Sequence, residues 1–497
     1  MTSQIKKLAG QTVVYGFSSI IGRFLNYLLV PLYTNLFLTS QYGIVTDLYA
    51  YAGFLFVLLT YGMETAYFRF SEKHQNPEKV FTTAISPLLI TTSVFLSIII
   101  LFAQPIADIL RYPNHKEYVI WFALIISLDV LTTIPFAKLR RENKAVKFAV
   151  FKFINIGLNI GFNLFFLLLC PYLLKQNPDS FVNIFYSENI GIGYIFISNL
   201  IASAVTLLLF IPDFFKIKYT FSKTVLKQLL IYGSPLLFAG LAGMINEVID
   251  RILLKYLIVV PEGISNANTY IFSQIGIYGA NYKLSILITL FIQAFRYAAE
   301  PFFFSHAKHK NAKETYAEVM NYFIIFGLVI FLGIMLYIDI AKYFINENYW
   351  SGLKIVPILL AANLFLGIVY NLSVWYKLTD KTKYGAYIAG IGAFITILLN
   401  FILIPKIGYM GSAWATFFCY FTMMTVSYFW GRKYYKIHYP LKKIFFYTIF
   451  TLFVFFLSRF IVLSGFKMYL FRTFLFLSFL FFVSLKEKLF YLRKKGK

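Results

Sequence analysis

Tyr232-Gly233-Ser234-Pro235 opens the stretch on which the reading of this chain turns. An apolar run follows to Met244, then a polar knot, Asn246-Glu247-Val248-Ile249-Asp250-Arg251, then apolar residues again at Ile252-Leu253-Leu254. A second long apolar segment ends in Arg296-Tyr297-Ala298-Ala299-Glu300-Pro301. Apolar runs of roughly 18–25 residues are long enough, as α-helices, to cross about 30 Å of hydrocarbon. Ionisable groups inside such helices are costly unless they face a watery cavity or a partner, so they mark a pathway.

The rest of the chain has the same character. Of its 497 residues, 59% are hydrophobic and 13% charged, with a mean hydropathy of +0.71. Soluble globular chains carry nearer about a quarter charged residues, so this is read as a polytopic membrane protein. The fold class is all-α, because lipid-exposed backbone must satisfy its own hydrogen bonds and these runs are too long for barrel strands. About fourteen spans are expected, near 9–32, 43–64, 81–104, 118–137, 148–173, 188–211, 228–256, 270–299, 317–338, 353–376, 384–404, 409–430, 443–461 and 467–485. Lys6-Lys7 precede a first run too long for a signal peptide, which therefore reads as an uncleaved span.

The net charge of +25 does not call for nucleic acid, because the basic residues sit in short loops between spans. With the N-terminus inside, most Lys and Arg fall on the inner side: Lys138-Leu139-Arg140-Arg141-Glu142-Asn143-Lys144, Lys216-Ile217-Lys218, Arg432-Lys433 and the tail Arg493-Lys494-Lys495. Outer connections such as 33–42 and 261–269 are nearly free of them. That asymmetry places both termini in the cytoplasm. Trp121, Trp350, Trp375, Trp414 and Trp430 fall at span ends, as an interfacial belt predicts. Cys170 and Cys419 are isolated and offer no disulfide or metal framework. His306 and His309, three apart in a basic loop, lack acidic or thiol companions and read as solvated.

The chain also repeats itself. Tyr42-Gly43 opens span two and Glu64 ends it, 21 positions after the glycine; Tyr278-Gly279 and Glu300 keep the same interval in span eight. Aromatic exits follow both, Tyr67-Phe68-Arg69-Phe70-Ser71 and Phe302-Phe303-Phe304-Ser305. Tyr15-Gly16 and Tyr232-Gly233 open spans one and seven, at an offset of 217 positions rather than 236, so the second copy carries an insertion. A six-plus-six duplication with two extra spans gives an N-lobe over 1–215, a C-lobe over 216–436, and two helices with a basic cytoplasmic tail over 437–497. Repeats with an even number of spans keep one orientation, and in such transporters the substrate path runs between the halves.

Arg23-Phe24-Leu25-Asn26-Tyr27-Leu28-Leu29-Val30-Pro31-Leu32-Tyr33-Thr34 followed by Tyr42-Gly43 resembles the opening of bacterial polysaccharide biosynthesis proteins. These are the oligosaccharide-flippase branch of the multidrug/oligosaccharidyl-lipid/polysaccharide exporter superfamily. Glu64-Thr65-Ala66-Tyr67-Phe68-Arg69-Phe70 and Ala299-Glu300-Pro301-Phe302-Phe303-Phe304 add to the likeness, and the span layout extends it over the whole chain. The resemblance implies two six-helix lobes around a central cavity that opens alternately to either side. It also implies a substrate of undecaprenyl-diphosphate-linked oligosaccharide (an O-antigen, capsule or exopolysaccharide unit) carried to the periplasmic leaflet of the bacterial inner membrane, with other glycan-assembly proteins as neighbours. Lipid II export and cation-coupled drug efflux are the alternatives within the superfamily. A membrane glycan polymerase, ligase or glycosyltransferase fits less well, because every outer connection is short and leaves no catalytic loop. No enzymatic activity is expected.

A diphosphate crossing hydrocarbon needs cations, since an unpaired buried ion costs several kcal/mol and arginine's planar fork matches phosphate oxygens. Arg23, Lys152, Arg251, Lys283 and Arg296 lie within spans and are the candidates. Arg23 is favoured because it lies mid-span and because the flippases resembled here use a basic residue in their first helix. Internal ion pairing is the competing reading for Arg251, four after Glu247, and for Arg296, four before Glu300. Arg472, near a span end, reads as snorkelling.

Asn155, Asn159 and Asn163 with Lys152 form one helical stripe, read either as cavity lining for sugars or as hydrogen-bonded glue between helices. The ATP-binding pattern Gly-x4-Gly-Lys-Ser/Thr does not occur. No organic cofactor is expected, and movement would draw on a Na⁺ or H⁺ gradient or on substrate supply. Asn246, Glu247 and Asp250, with Asp129, are the candidate coupling residues. Glu64 and Glu300 end equivalent spans and read as parts of an inner gate, with Lys377 as the partner of Glu64.

Overall fold

The computed structural model describes residues 16, 18, 20–461 and 463–487. Lys6-Lys7, Tyr15 and the tail from Arg493 to Lys495 lie outside the described residues. Every regular element among the described residues is helical. Twelve of these helical segments are long and apolar enough to cross a membrane. Two of the fourteen expected spans are not among them. Nine of the residues expected in the first span, 9–15, 17 and 19, lie outside the described residues, and Tyr409–Tyr434 is a full-length helix whose Ser, Thr, Tyr and Gly content makes it less apolar.

The chain divides into two compact units, Met1–Gly276 and Ile277–Lys497. In the first, the Lys116–Arg141 helix is the centre, with 67% of its most apolar stretch buried. Thr39–Thr60, Pro77–Leu101, Ala145–Leu164 and Gly193–Phe215 surround it, and Lys223–Leu257 lies along Thr39–Thr60. The second span is broken at Tyr61-Gly62, both with positive φ. The break brings the backbone against Gly233, where a Cβ on Gly62 would sit 2.7 Å from the Gly233 carbonyl oxygen. Glu64 therefore begins a new helix, Met63–Lys73, in its first turn, where the helix dipole favours a carboxylate. Gly43 permits a second close crossing, because a Cβ there would overlap the Phe272 carbonyl. In the fifth span Pro171 has no N–H to bond residue 167, and the turn before it relaxes into a π-helix, Phe165–Leu169.

In the second unit Ala312–Leu336 is the central helix, also 67% buried. The expected eighth span is two helices, Ala267–Leu284 and Ile286–His306, because Ser285 (φ −86°, ψ 0°) leaves helical geometry. Leu441–Phe460 and Phe466–Lys486 form a terminal hairpin on the central helix. Two expectations are corrected here. Trp375 is buried, with its indole N–H donating to Ser427, so it packs the core rather than the interface. Arg472 does not snorkel: it is buried and donates to the Asp339 carboxylate and the Leu336 carbonyl.

Candidate functional site

Within the first unit the polar side chains of the spans join in a seam. Asn163 is fully buried; its amide donates to the carbonyl oxygen of Asn159, and its Oδ1 accepts from the Tyr33 hydroxyl at 2.9 Å. Asn159 in turn donates to Asn26 Oδ1 at 3.1 Å, and Asn155 donates to Thr206 Oγ1 at 2.9 Å. The periodicity of four places all three amides on one side of Ala145–Leu164, facing the first helix (residues 20–27, continued by Leu29–Leu36) and Gly193–Phe215. A Cβ on Gly22 would sit 2.6 Å from Ile156, which shows how closely the first helix approaches. Asp129 continues the seam by accepting from Ser203 Oγ at 2.7 Å. Lys152 lies over the Phe136 ring at 4.1 Å, within electrostatic reach of Asp129 and Glu64.

Arg23 is exposed, one turn before Asn26 on the same face of the first helix. It is the candidate cation that stands open beside the amide ladder.

On Lys223–Leu257 the knot divides by face. Asn246 and Asp250, four apart, are buried, while Glu247 is exposed. Arg251 sits 3.2 Å from the Asp250 carboxylate and donates to the main-chain carbonyl of Glu247 at 2.6 Å. Arg251 is thus in an internal ion pair with Asp250 on its own helix.

In the second unit Arg296 stacks on Tyr370, its guanidinium 4.0 Å from the ring centroid. Glu300 and Lys377 pair along the same wall of a small cleft. Arg296 therefore takes an aromatic face, not the Glu300 carboxylate, as its neighbour. Lys283, half-buried, lies two residues before the break at Ser285. Within their own units, Glu64 is paired with Arg140 and Lys377 with Glu300. Each carboxylate finds its cation at the end of a helix within its own unit.

The most deeply buried charges went unread in the sequence. Asp47 and Lys255 pair at 2.6 Å with both side chains 0% exposed. The Tyr112 hydroxyl donates to the same Asp47 oxygen. The rings of Tyr51, Tyr112 and Tyr256 surround the ammonium at 4.6–5.3 Å. Among the described residues Asp47 Oδ1 has no hydrogen-bond partner. This cage closes the ends of Thr39–Thr60 and Lys223–Leu257 that lie away from the basic loops. The signal was present, because Asp47 and Lys255 are themselves ionisable residues within membrane-length helices.

At the opposite end, Glu142 closes the loop after Lys116–Arg141. Burial pushes its carboxyl pKa up, but Lys144, Lys138 and Arg141 outweigh that and hold it below the usual range.

Residues 8–307 match the family described as polysaccharide biosynthesis protein. No curated protein matches the chain in sequence. The fold is similar to that of the lipid II flippase MurJ in an inward closed conformation (TM-score 0.72, 16% identity, covering 96% of this chain and 99% of that one). It is also similar to an inward-facing multidrug resistance MATE family transporter of the MOP superfamily (0.63, 13%, 85% and 94%). A third similar structure is a MOP superfamily transporter from Pyrococcus furiosus, described as having a binding pocket of reverse polarity (0.55, 14%, 86% and 94%).

Proposed function

The chain belongs to the polysaccharide biosynthesis protein family, and from that premise we propose that it is a flippase for polyprenyl-diphosphate-linked oligosaccharide. It carries the headgroup from the cytoplasmic to the outer leaflet of a bacterial inner membrane, with both of its termini in the cytoplasm. The observation that carries this reading is Arg23, exposed on a span beside Asn26 and the Asn159–Asn163 ladder. A guanidinium supplies charge-assisted bonds to diphosphate oxygens, and adjacent amides offer the donors and acceptors that sugar hydroxyls need. Lys152, Arg251, Lys283 and Arg296 are further cations that the diphosphate meets on its way. Coupling to Na⁺ or H⁺ is assigned to Asn246 and Asp250, with Asp129 as a second carboxylate.

Lipid II is the second reading, favoured by the likeness to the MurJ fold. Both substrates share the polyprenyl diphosphate and differ in the glycan. Deletion of the gene separates them. The proposed function expects undecaprenyl-linked oligosaccharide to accumulate and surface polysaccharide to be lost, with no rescue of a strain whose peptidoglycan export is blocked. Rescue of that strain, with surface polysaccharide intact in the deletion, would transfer the assignment to lipid II.

A further inference from the structure

The basic end of the first unit holds a cleft apart from the polar seam. Its floor is apolar: Phe81, Pro135, Phe210 and Phe214, contributed by three different helices. Its rim is cationic, with Lys138, Lys144 and Lys216. The cavity is small, ≈ 160 Å³, below the about 300–1,000 Å³ of pockets that enclose a drug-sized ligand, and it is open to solvent, so it suits a headgroup rather than a whole lipid.

The rim is built rather than incidental. Lys138 is held 5.0 Å above the Phe81 ring, its side chain 17% exposed. Lys144 is fixed to Glu142 at 2.7 Å, and Lys147 to Asp213 at 2.6 Å. Lys216 begins a strap that returns across the first turns of Pro77–Leu101. There Tyr219 meets Ser86 at 2.9 Å, and the Ser222 N–H bonds Thr83 Oγ1 at 3.2 Å. The lining carries Lys138, Lys144 and Lys216 against Glu142 and Asp213, an excess of one positive charge (three minus two), and Glu78 also lies within electrostatic reach of Lys138. Among the described residues no carboxylate pairs with Lys216. Phe215, 87% exposed, and Val146, 73% exposed, flank the lining residues in sequence and extend the apolar surface outward.

A lysine rim above an aromatic floor, where apolar helix ends reach the basic loops, suits one chemistry. The rim takes a phosphate anion while the floor takes hydrocarbon. We propose that this cleft binds the phosphodiester headgroup of an anionic membrane phospholipid, with its acyl chains running over Phe214 and Phe215. A soluble phosphate would satisfy the rim and leave the floor empty. An acidic protein segment would not need the aromatic floor at all. The site is independent of the flippase assignment, because none of its residues belongs to the seam.

The test is lipid binding to the delipidated full-length protein in detergent, followed by native mass spectrometry, with phosphatidylglycerol, phosphatidylcholine and inorganic phosphate as probes. Phosphatidylglycerol is expected to bind and phosphatidylcholine and phosphate not to compete. Lys138→Gln combined with Lys216→Gln is expected to weaken phosphatidylglycerol binding by roughly thirtyfold, and exposed Lys216→Gln alone by about fivefold, given the typical contribution of each basic residue near a membrane surface. The Lys138→Arg, Lys216→Arg variant should retain binding. The proposal is overturned if phosphatidylcholine binds as well, if inorganic phosphate displaces the lipid, or if Lys216→Gln leaves affinity unchanged. Should the double variant fail to fold, the single variant and the probe comparison still decide.

Discussion

Arg140 holds the carboxylate of Glu64 across 76 positions of chain, and Lys377 holds that of Glu300 across 77. The two carboxylates sit 236 residues apart, the offset of the Tyr-Gly repeat. A carboxylate beyond the break in the second span is therefore held twice by a cation at the end of the fourth: Glu64 in the first turn of Met63–Lys73, and Glu300 in the C-terminal half of Ile286–His306. Both pairs are partly exposed, so each contributes only about 0–1 kcal/mol to stability. Their value lies in fixing where the helix beyond each break is held.

The first prediction concerns that bond. Glu64→Lys should impair surface glycan export while leaving protein abundance near normal. Arg140→Glu in the same chain should restore much of the export, and Lys377→Glu should not. Rescue by Lys377→Glu would show that Glu64 changes partners during transport.

The buried Asp47–Lys255 pair responds differently. Lys255→Met alone strands a carboxylate that is 0% exposed, and breaking such a pair costs about 3–5 kcal/mol. Thermal unfolding in detergent should show a large drop for Lys255→Met. Most of it should return in the Asp47→Leu, Lys255→Met double variant, since apolar replacement of a buried pair is close to neutral. Equal drops in the two variants would mean that the pair is not the source.

The amide ladder is stabilising glue whatever else it does. Asn163→Ala leaves the Tyr33 hydroxyl without its acceptor and should lower stability by about 1–2 kcal/mol. Asn155→Ala, which removes one bond to Thr206, should cost less.

At the end of the last helix Glu487 accepts from Tyr447 at 2.6 Å and from Lys443 at 2.7 Å, with Asn321 beside it at 3.4 Å. Burial would raise its pKa, but these donors outweigh it and the folded-state value is lowered. A lowered carboxylate pKa stabilises the folded state above the unfolded value, about 4.3 for Glu. That stabilisation is lost as pH falls through the folded-state pKa. The melting temperature of the unsubstituted protein should therefore exceed that of Glu487→Gln at pH 7, and the gap should close below about pH 4. A gap that is constant with pH would exclude the ionised contact as its origin.

The spans were legible because hydrophobic length is a local property, and the repeat because Tyr42-Gly43 and Tyr278-Gly279 keep their distance from Glu64 and Glu300. The breaks at Tyr61-Gly62 and Ser285 were not legible, since hydropathy runs straight through them. Pairing was the least legible. The partner of Asp47 lies 208 positions away, and only the fold reveals it. Arg140 sits among loop cations that topology alone accounts for, yet the repeat marks it: Lys377 follows Glu300 by 77 positions and Arg140 follows Glu64 by 76.

The central claim, that a cation on the first helix carries a lipid diphosphate past hydrocarbon, is tested most directly in proteoliposomes. The measurement is the initial rate at which a polyprenyl-diphosphate saccharide reaches the opposite leaflet. Losing a charge-assisted contact worth about 1.5–3 kcal/mol should slow Arg23→Ala by tenfold or more at equal protein content, with Arg23→Lys in between. A rate for Arg23→Ala equal to that of the unsubstituted protein would contradict the account.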